Sequence, residues 1–383
     1  MRYRITFNRP FLSGHELENI QKAFDLGHSA GDGAFTHKCH EWFEKRLGVK
    51  KALLTTSCTS ALEMAAILLN VQEGDEVIVP SFTFVSTVNA FVLRGATPVF
   101  VDVRPDTLNI DEKLIEGRIT RRTKAIVPVH YAGVGCEMDA ITRLAEDKRI
   151  VVVEDNAHGL LGKFKGRFLG TWGEMATQSF HETKNVICGE GGALLLNDSQ
   201  FIDRAEIIRE KGTNRKRFFR GQVDKYSWVD IGSSFLPSDI LAAFLLSQLE
   251  SIERIQGLRK RLWNRYSEEL SSWAETTGAT LPQIPKHCEQ SYHMFYVLMP
   301  SPDARAGMIE SLKARGIQAV FHYLPLHLSE MGKRWGGKVG DCPVTEQVSD
   351  CVVRLPFFNA MTESEQGEVI DAVKGYGRMA KAA

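Results

Sequence analysis

Three features of the sequence predict an α/β fold: a large, mostly parallel sheet with helices on both faces, followed by a smaller α+β part. Short β-branched runs recur between about residues 50 and 200. Amphipathic stretches separate the first five of them. From Ser238 the apolar residues change to helical spacing. Continuously apolar runs divided by helices read as parallel strands buried on both faces. The ligand of such a sheet is expected beyond the carboxyl ends of its strands.

The runs, in order, are "KALLTT", "EVIVP", "TPVFVDV", "KAIVPVHY", "RIVVVED", "ATQSF" and "GALLLN". "SALEMAAILLN" and "TFVSTVNAFVLRG" are the helical stretches after the first two. Ile240, Phe244, Leu249, Ile252, Ile255, Leu262, Tyr266, Leu270 and Trp273 then predict one long helix over about 238–273. Unbroken, it would be roughly 50 Å long. It is expected to join a large domain, 1–250, to a small one, 251–383. "LPQIPKHCEQ" reads as a loop, and a helix around 303–314 and another from Thr362 complete the small domain.

A chain of 383 residues can bury a large core. Lys and Arg total 47 and Asp and Glu total 47. A balanced charge argues against a general nucleic-acid binder, although a small anionic ligand needs only a local patch. No run approaches the ~20 apolar residues of a membrane span, and "MRYRITFNRPF" has no signal-peptide core. The seven cysteines are scattered and form no C-x-x-C pair, so reduced thiols in a cytoplasmic protein are expected, with no metal site.

Four features converge on one chemistry. "RIVVVEDNAHG" ends a strand in Glu154 and Asp155, where a carboxylate can face a ligand. "SFHETKN" places Lys184 after the sixth run, and the glycines of "GEGG" permit close backbone approach beside it. An amine that forms an imine with an aldehyde cofactor, plus a carboxylate for its ring nitrogen, is what pyridoxal phosphate requires. "LLTTSCTSALEMAAILL" puts Thr55, Thr56, Ser57, Thr59 and Ser60 at a helix start, a phosphate site. "PSFTFVST" offers Phe84 for stacking on a flat ring. The bland readings are a surface lysine, a loop carboxylate, an ordinary N-cap and a core phenylalanine; it is their conjunction that favours a site. No G-x-G-x-x-G follows the first strand, which weakens a nicotinamide reading.

With "GDGAFT", "VPVHYAG", "EKGTNR" and "RLPFF", these motifs resemble, over nearly the whole chain, the DegT/DnrJ/EryC1/StrS family of pyridoxal phosphate-dependent sugar aminotransferases. The resemblance implies aminotransferase fold type I and a homodimer with shared active sites. It implies transfer of an amino group from L-glutamate to a keto-sugar nucleotide, with the cofactor passing through pyridoxamine phosphate. It makes Lys184 the Schiff-base lysine and Asp155 the partner of the pyridine nitrogen. His158 falls near the ring hydroxyl, Phe84 on the stacking aromatic, and Thr59, Ser60 and Ser179 on phosphate positions. Cys58 stands where many relatives carry Gly, and Ser234 where many reach across the dimer with Asn. Two related activities compete with this reading. A 3-keto sugar transaminase is one. A sugar dehydratase is the other, and in that branch histidine replaces the lysine. A non-catalytic relative is a third alternative.

The nucleotide end is read from the residues alone. "IREKGTNRKRFFRGQ" is basic, and Arg220 is its best diphosphate ligand, while Arg209 and Lys211 read as a solvated helix face. His322, Tyr323 and His327 of "FHYLPLH" are expected to line the sugar site, with a structural role for "PL" and one of the histidines as an equal alternative.

Overall fold

A computed structural model describes residues 3–380. The seven apolar runs are the seven strands of its main sheet: β1 (Lys51–Thr55), β2 (Glu76–Pro80), β3 (Thr97–Val101), β4 (Thr123–Ile126), β5 (Val151–Asp155), β6 (Met175–Ser179) and β7 (Gly192–Leu196). Their spatial order is β1-β7-β6-β5-β4-β2-β3. Pairings within β6-β5-β4-β2-β3 are parallel, and β7 runs antiparallel to both its neighbours. The reversal has a local cause. Residues 180–191 return directly: Phe180 N–H donates to Gly191 O and Cys188 N–H to Phe180 O, each at 2.8 Å. A hairpin return gives antiparallel pairing, whereas a parallel pair needs a long crossover.

Helices cover both faces. We number those used below α1 (Ala34–Leu47), α2 (Cys58–Leu68), α3 (Ser86–Val92), α4 (Met138–Lys148), α5 (Asp239–Glu250) and α6 (Ile252–Thr277). Strand alternation sends Leu53, Leu194 and Leu196 into one cluster with Ala61, Met64 and Ala65 of α2. It sends Ala52, Leu54, Ala193 and Leu195 into the opposite cluster, with Phe35 and Phe43 of α1 and Leu245 and Leu249 of α5.

The helix expected over about 238–273 is two helices that break at Ser251. Their burial explains the break. α5 packs its apolar side on the main sheet. Leu262, Tyr266, Leu270 and Trp273 of α6 instead pack on Phe295, Val297, Val353 and Ile370. A straight rod would not lay both stripes on their own cores, and the turn at Ser251 redirects the chain. The 26 residues of α6 span about 39 Å. In the C-terminal cluster β8 (Tyr296–Leu298) pairs antiparallel with β9 (Val352–Arg354). Among the described residues no helix is long and apolar enough to cross a membrane, and no His/Cys/Asp/Glu group could hold a metal ion. All seven cysteines are free.

The end of β5 fixes the loop beside it. Glu154 is fully buried and accepts from the amides of Gly170 (2.8 Å), Trp172 (2.7 Å) and Gly173 (2.8 Å). His130 supplies a fourth bond, Nε2 to Oε2, at 2.8 Å. Its Nδ1 accepts from Cys136 N–H, so the proton that reaches Glu154 sits on Nε2. Glu154→Ala would strand these donors in the interior. The expected loss is about 3–5 kcal/mol, read as a lower urea midpoint with an unchanged slope. A loss below about 1 kcal/mol would mean that water replaces the carboxylate.

Candidate active site

Asp155 follows Glu154 on the same strand, so its side chain points the other way. It faces a cavity of about 480 Å³. Lys184, His158, Phe84, Cys58, Thr59, Ser179, His322 and Tyr323 line that cavity with it. Its floor is the carboxyl end of the sheet, and its walls come from both core regions. Asp155 is held by two donors: Thr87 Oγ1 on Oδ2 at 2.7 Å and Ala157 N–H on Oδ1 at 3.1 Å. Thr83 Oγ1 backs Thr87 at 2.9 Å.

Lys184 lies in the turn after β6, where its own N–H donates to His181 O. Among the described residues its amine has no hydrogen-bond or ion-pair partner. Burial is the largest influence and pushes it down to about 8. Asp155 and Cys58 pull the other way, and Arg354 acts with burial. An amine with that value is substantially neutral at mildly alkaline pH, which nucleophilic or proton-accepting work requires.

The start of α2 forms a cup of hydroxyls. Ser57 is the N-cap and accepts from Ser60 N–H at 3.0 Å. Thr59 Oγ1 donates to Ser86 Oγ at 2.8 Å. Ser57, Thr59, Ser86 and Ser179 all line the cavity. Gly192 makes the cup possible. A Cβ there would stand 2.3 Å from Ser57 C and 2.4 Å from Cys58 N. The thiol of Cys58 is pushed up by burial, with Asp155 adding to the effect, so it stays neutral.

His158 is buried and its imidazole is driven neutral by burial first, then by Lys184 and Arg354. It stacks on His293 with centroids 4.1 Å apart and planes 15° apart. Its Nδ1 is buried without a partner. Phe84 stands on the wall 56% exposed, which leaves ring surface free to stack.

Four expected residues lie elsewhere. Ser60 is spent inside the helix cap, its Oγ 2.8 Å from Thr56 Oγ1 and 3.1 Å from Ser57 Oγ. Ser234 is exposed on a bridge with Glu210, outside its own chain's cavity. Arg220 is held by Glu206 at 2.7 Å on the outer surface. His327 is a buried strut rather than a cavity wall, with Nδ1 2.6 Å from Ser81 Oγ and Nε2 3.0 Å from Glu346 Oε1. Arg209, read as a solvated residue, is 1% exposed: it donates to Leu54 O at 2.7 Å and pairs with Asp32 at 2.6 Å. Asp32 belongs to the "GDGAFT" segment, and nothing in local spacing places it against Arg209. Lys211 is exposed, as expected.

Sequence reasoning missed Thr87, His293 and Arg354. Thr87 was within reach, because it lies three residues beyond Phe84 in the same motif. The other two come from the C-terminal region, and no spacing rule ties them to Lys184.

The donor set fits pyridoxal phosphate. An amine, a fixed carboxylate, an open aromatic and a hydroxyl-lined helix start surround one cavity, and the orphaned His158 Nδ1 awaits a polar partner. Comparisons with known proteins agree. The model of the DegT/DnrJ/EryC1/StrS aminotransferase family matches residues 11–374. The spore coat polysaccharide biosynthesis protein SpsC of Bacillus subtilis is 30% identical over 378 residues, 97% of this chain and 96% of SpsC. The aminotransferase TlmJ from Streptoalloteichus hindustanus superposes with a TM-score of 0.90 at 30% identity, covering 99% of this chain and 100% of TlmJ. The proposed sugar aminotransferase Spr1654 from Streptococcus pneumoniae, solved in apo, PMP and PLP forms, is 26% identical. Its apo form gives a TM-score of 0.91 over 99% of both chains.

Two outcomes follow from this geometry. The rate at which the cofactor-free protein captures pyridoxal phosphate should rise about tenfold per pH unit below about 8 and level off above it. A rate that climbs on toward the value of a surface lysine would show an unburied amine. Gly192→Ala should weaken cofactor affinity by at least roughly tenfold, because its methyl group displaces the Ser57–Cys58 backbone. Titration of cofactor absorbance measures this.

Proposed function

We propose, from the premise that the chain belongs to the DegT/DnrJ/EryC1/StrS aminotransferase family, that it moves an amino group from L-glutamate to a 4-keto-6-deoxy sugar nucleotide. The protein is a pyridoxal phosphate-dependent aminotransferase. One observation carries the reading: Lys184 and Asp155 face one cavity whose rim is the capped start of α2. When bound, the cofactor supplies an aldehyde that captures amines and an electron-poor ring that stabilises negative charge on the neighbouring carbon.

The chain's own residues do the rest. Thr87 and Ala157 fix the plane of Asp155, which holds a proton at the ring nitrogen. Ser57, Thr59, Ser179 and the free amides of α2 bind the phosphate, with the positive end of the helix behind them. Phe84 would cover one ring face. His158, neutral and stacked on His293, holds the ring's polar edge. Lys184 would anchor the cofactor, and its free Nζ would accept and return the proton of the substrate carbon. Its lowered value lets the same nitrogen accept and release that proton near neutral pH.

Sequence motifs support the finer choice. "TTSCTSALEMAA", "FHETKN", "FFRGQVDKYSW" and "FHYLPLH" resemble most closely the transaminase that makes dTDP-4-amino-4,6-dideoxygalactose for enterobacterial common antigen. We therefore take dTDP-4-keto-6-deoxyglucose as the acceptor. The enzyme works as a homodimer with shared sites, a reading supported by the exposed Phe219 (68%), Tyr226 (54%) and Trp228 (78%) of one segment. Ser234 reaches the partner's phosphate cup. His322 and Tyr323 line the sugar end. Lys184 speaks against the dehydratase reading.

Adding glutamate to the loaded protein should convert the absorbance band of the bound aldehyde to that of the amine form. The keto sugar nucleotide should restore it. Lys184→Ala should lower turnover by at least about 10⁴-fold, since it removes tether and proton carrier together. Appreciable transaminase activity in that variant would remove Lys184 from the mechanism.

A further inference from the structure

We propose that His293 is a positioning residue for the cofactor site: through its stack on His158 and its hydrogen bond to Asn185, it braces the loop after β5 and the loop that carries Lys184 against each other. The inference deepens the transaminase reading above and rests on it. Among the described residues His293 makes no bond to Lys184 or Asp155, so it acts through its two neighbours.

Asn185 dictates the tautomer of His293. It follows Lys184 directly and is buried. Its Nδ2 donates to Ser291 O at 2.7 Å. A carbonyl can only accept, so the orientation of the amide is fixed, and Oδ1 is the atom 2.9 Å from His293 Nδ1. His293 therefore carries its proton on Nδ1 and a lone pair on Nε2. Its ring lies on the cavity wall, 4.1 Å from that of His158 and within 15° of parallel. Burial holds both rings neutral. Lys184 and Arg354 add to it at His158, and His158, Lys184, Arg259 and Arg354 add to it at His293.

The backbone around His293 ties the same two loops. Ser291 donates through Oγ to His158 O and accepts from Asn185 through its carbonyl. Its N–H donates to Gly133 O at 3.0 Å, and a Cβ at Gly133 would fall on Ser291 Oγ. Tyr292, between the two, has φ 54°, a left-handed value that strains a tyrosine and persists only where the surroundings hold it. Arg259 of α6 holds it, donating to Tyr292 O at 2.8 Å, to His293 O, and to Asn359 Oδ1 at 2.7 Å. Asn359 Nδ2 in turn donates to Asn185 O at 3.4 Å. Filling a core needs none of these bonds. A paired polar network specifies one arrangement, and this one spans both cofactor loops.

The proposed function puts His158 at the polar edge of the cofactor ring. A donor at that edge competes for the ring oxygen with the proton on the lysine–cofactor linkage. A slack His158 leaves that proton in place to higher pH.

The test uses the loaded full-length enzyme without substrate and reads the pH midpoint of its cofactor absorbance. His293→Asn keeps a donor for Asn185 but removes the stack, and should raise the midpoint by about 0.5–1 pH unit. His293→Leu, which fills the space without a ring, should do the same and serves if the Asn variant fails to load cofactor. His293→Phe restores the stack and should recover most of the shift. It lacks the donor, so amide exchange over residues 183–187 should quicken in it and not in His293→Asn. In a His158→Ala background, adding His293→Asn should move the midpoint no further. An unchanged midpoint in both stack-removing variants overturns the proposal. So does an equal further shift without His158, or a failure of Phe to recover any of it, since either marks a merely structural role. The response of the wild-type enzyme to glutamate is measured separately, and its absence would overturn the donor assignment and not the brace.

Discussion

The site depends on one constraint: neighbouring residues of a strand point to opposite sides. β5 ends in two adjacent carboxylates that therefore do different work. Glu154 turns inward and gathers three amides and an imidazole, which locks residues 170–173 against the sheet. Asp155 turns to the cavity. A one-residue slip of β5 would exchange them, placing the structural anchor in the cavity and burying the ligand-facing acid without its donors. The register with β6, Val153 to Met175 and Asp155 to Thr177, prevents that slip. It is set by apolar residues on both faces of the strand, so the core of the sheet governs the chemistry at its end.

Lys184 shows how the surroundings tune a group without direct bonds. Burial disfavours its charged form, and the carboxylate across the cavity favours it. Burial wins, but only partly, and the value comes to rest near 8. Full exposure would leave the amine protonated and inert. A direct ion pair with Asp155 would do the same and would also occupy the carboxylate. The two donors on Asp155 keep it turned away from that alternative. The reversed strand β7 contributes here, because the hairpin between β6 and β7 is what carries Lys184 back over the sheet end.

Much of this was legible along the chain. Seven apolar runs became seven strands because burial on both faces leaves an unbroken apolar signature. Lys184, Asp155, His158, Phe84, Cys58, Thr59 and Ser179 meet in one cavity because each sits at or just past a strand end, where this fold collects its ligands. What escaped the reading shares a different property. The break at Ser251 and the burial of Arg209 are decided by partners far away in sequence: two separate cores and Asp32. A charged residue in a polar helix looks solvated until its partner is known. Ser60 looked like a ligand because a capping hydroxyl and a phosphate-binding hydroxyl occupy the same turn.

The charges on the cavity wall also bear on how the substrates share it. The phosphate cup is built from neutral hydroxyls and a helix start, with no fixed cation. Lys184 must spend part of the cycle neutral, and His158, His293 and His322 on the wall are driven neutral by burial. That leaves Arg354 as the permanent cation on the described wall. The basic stretch from Arg215 to Arg220 lies in the segment that also exposes Phe219, Tyr226 and Trp228. A surface that is at once apolar and basic is the kind that the proposed dimer and the proposed nucleotide would use.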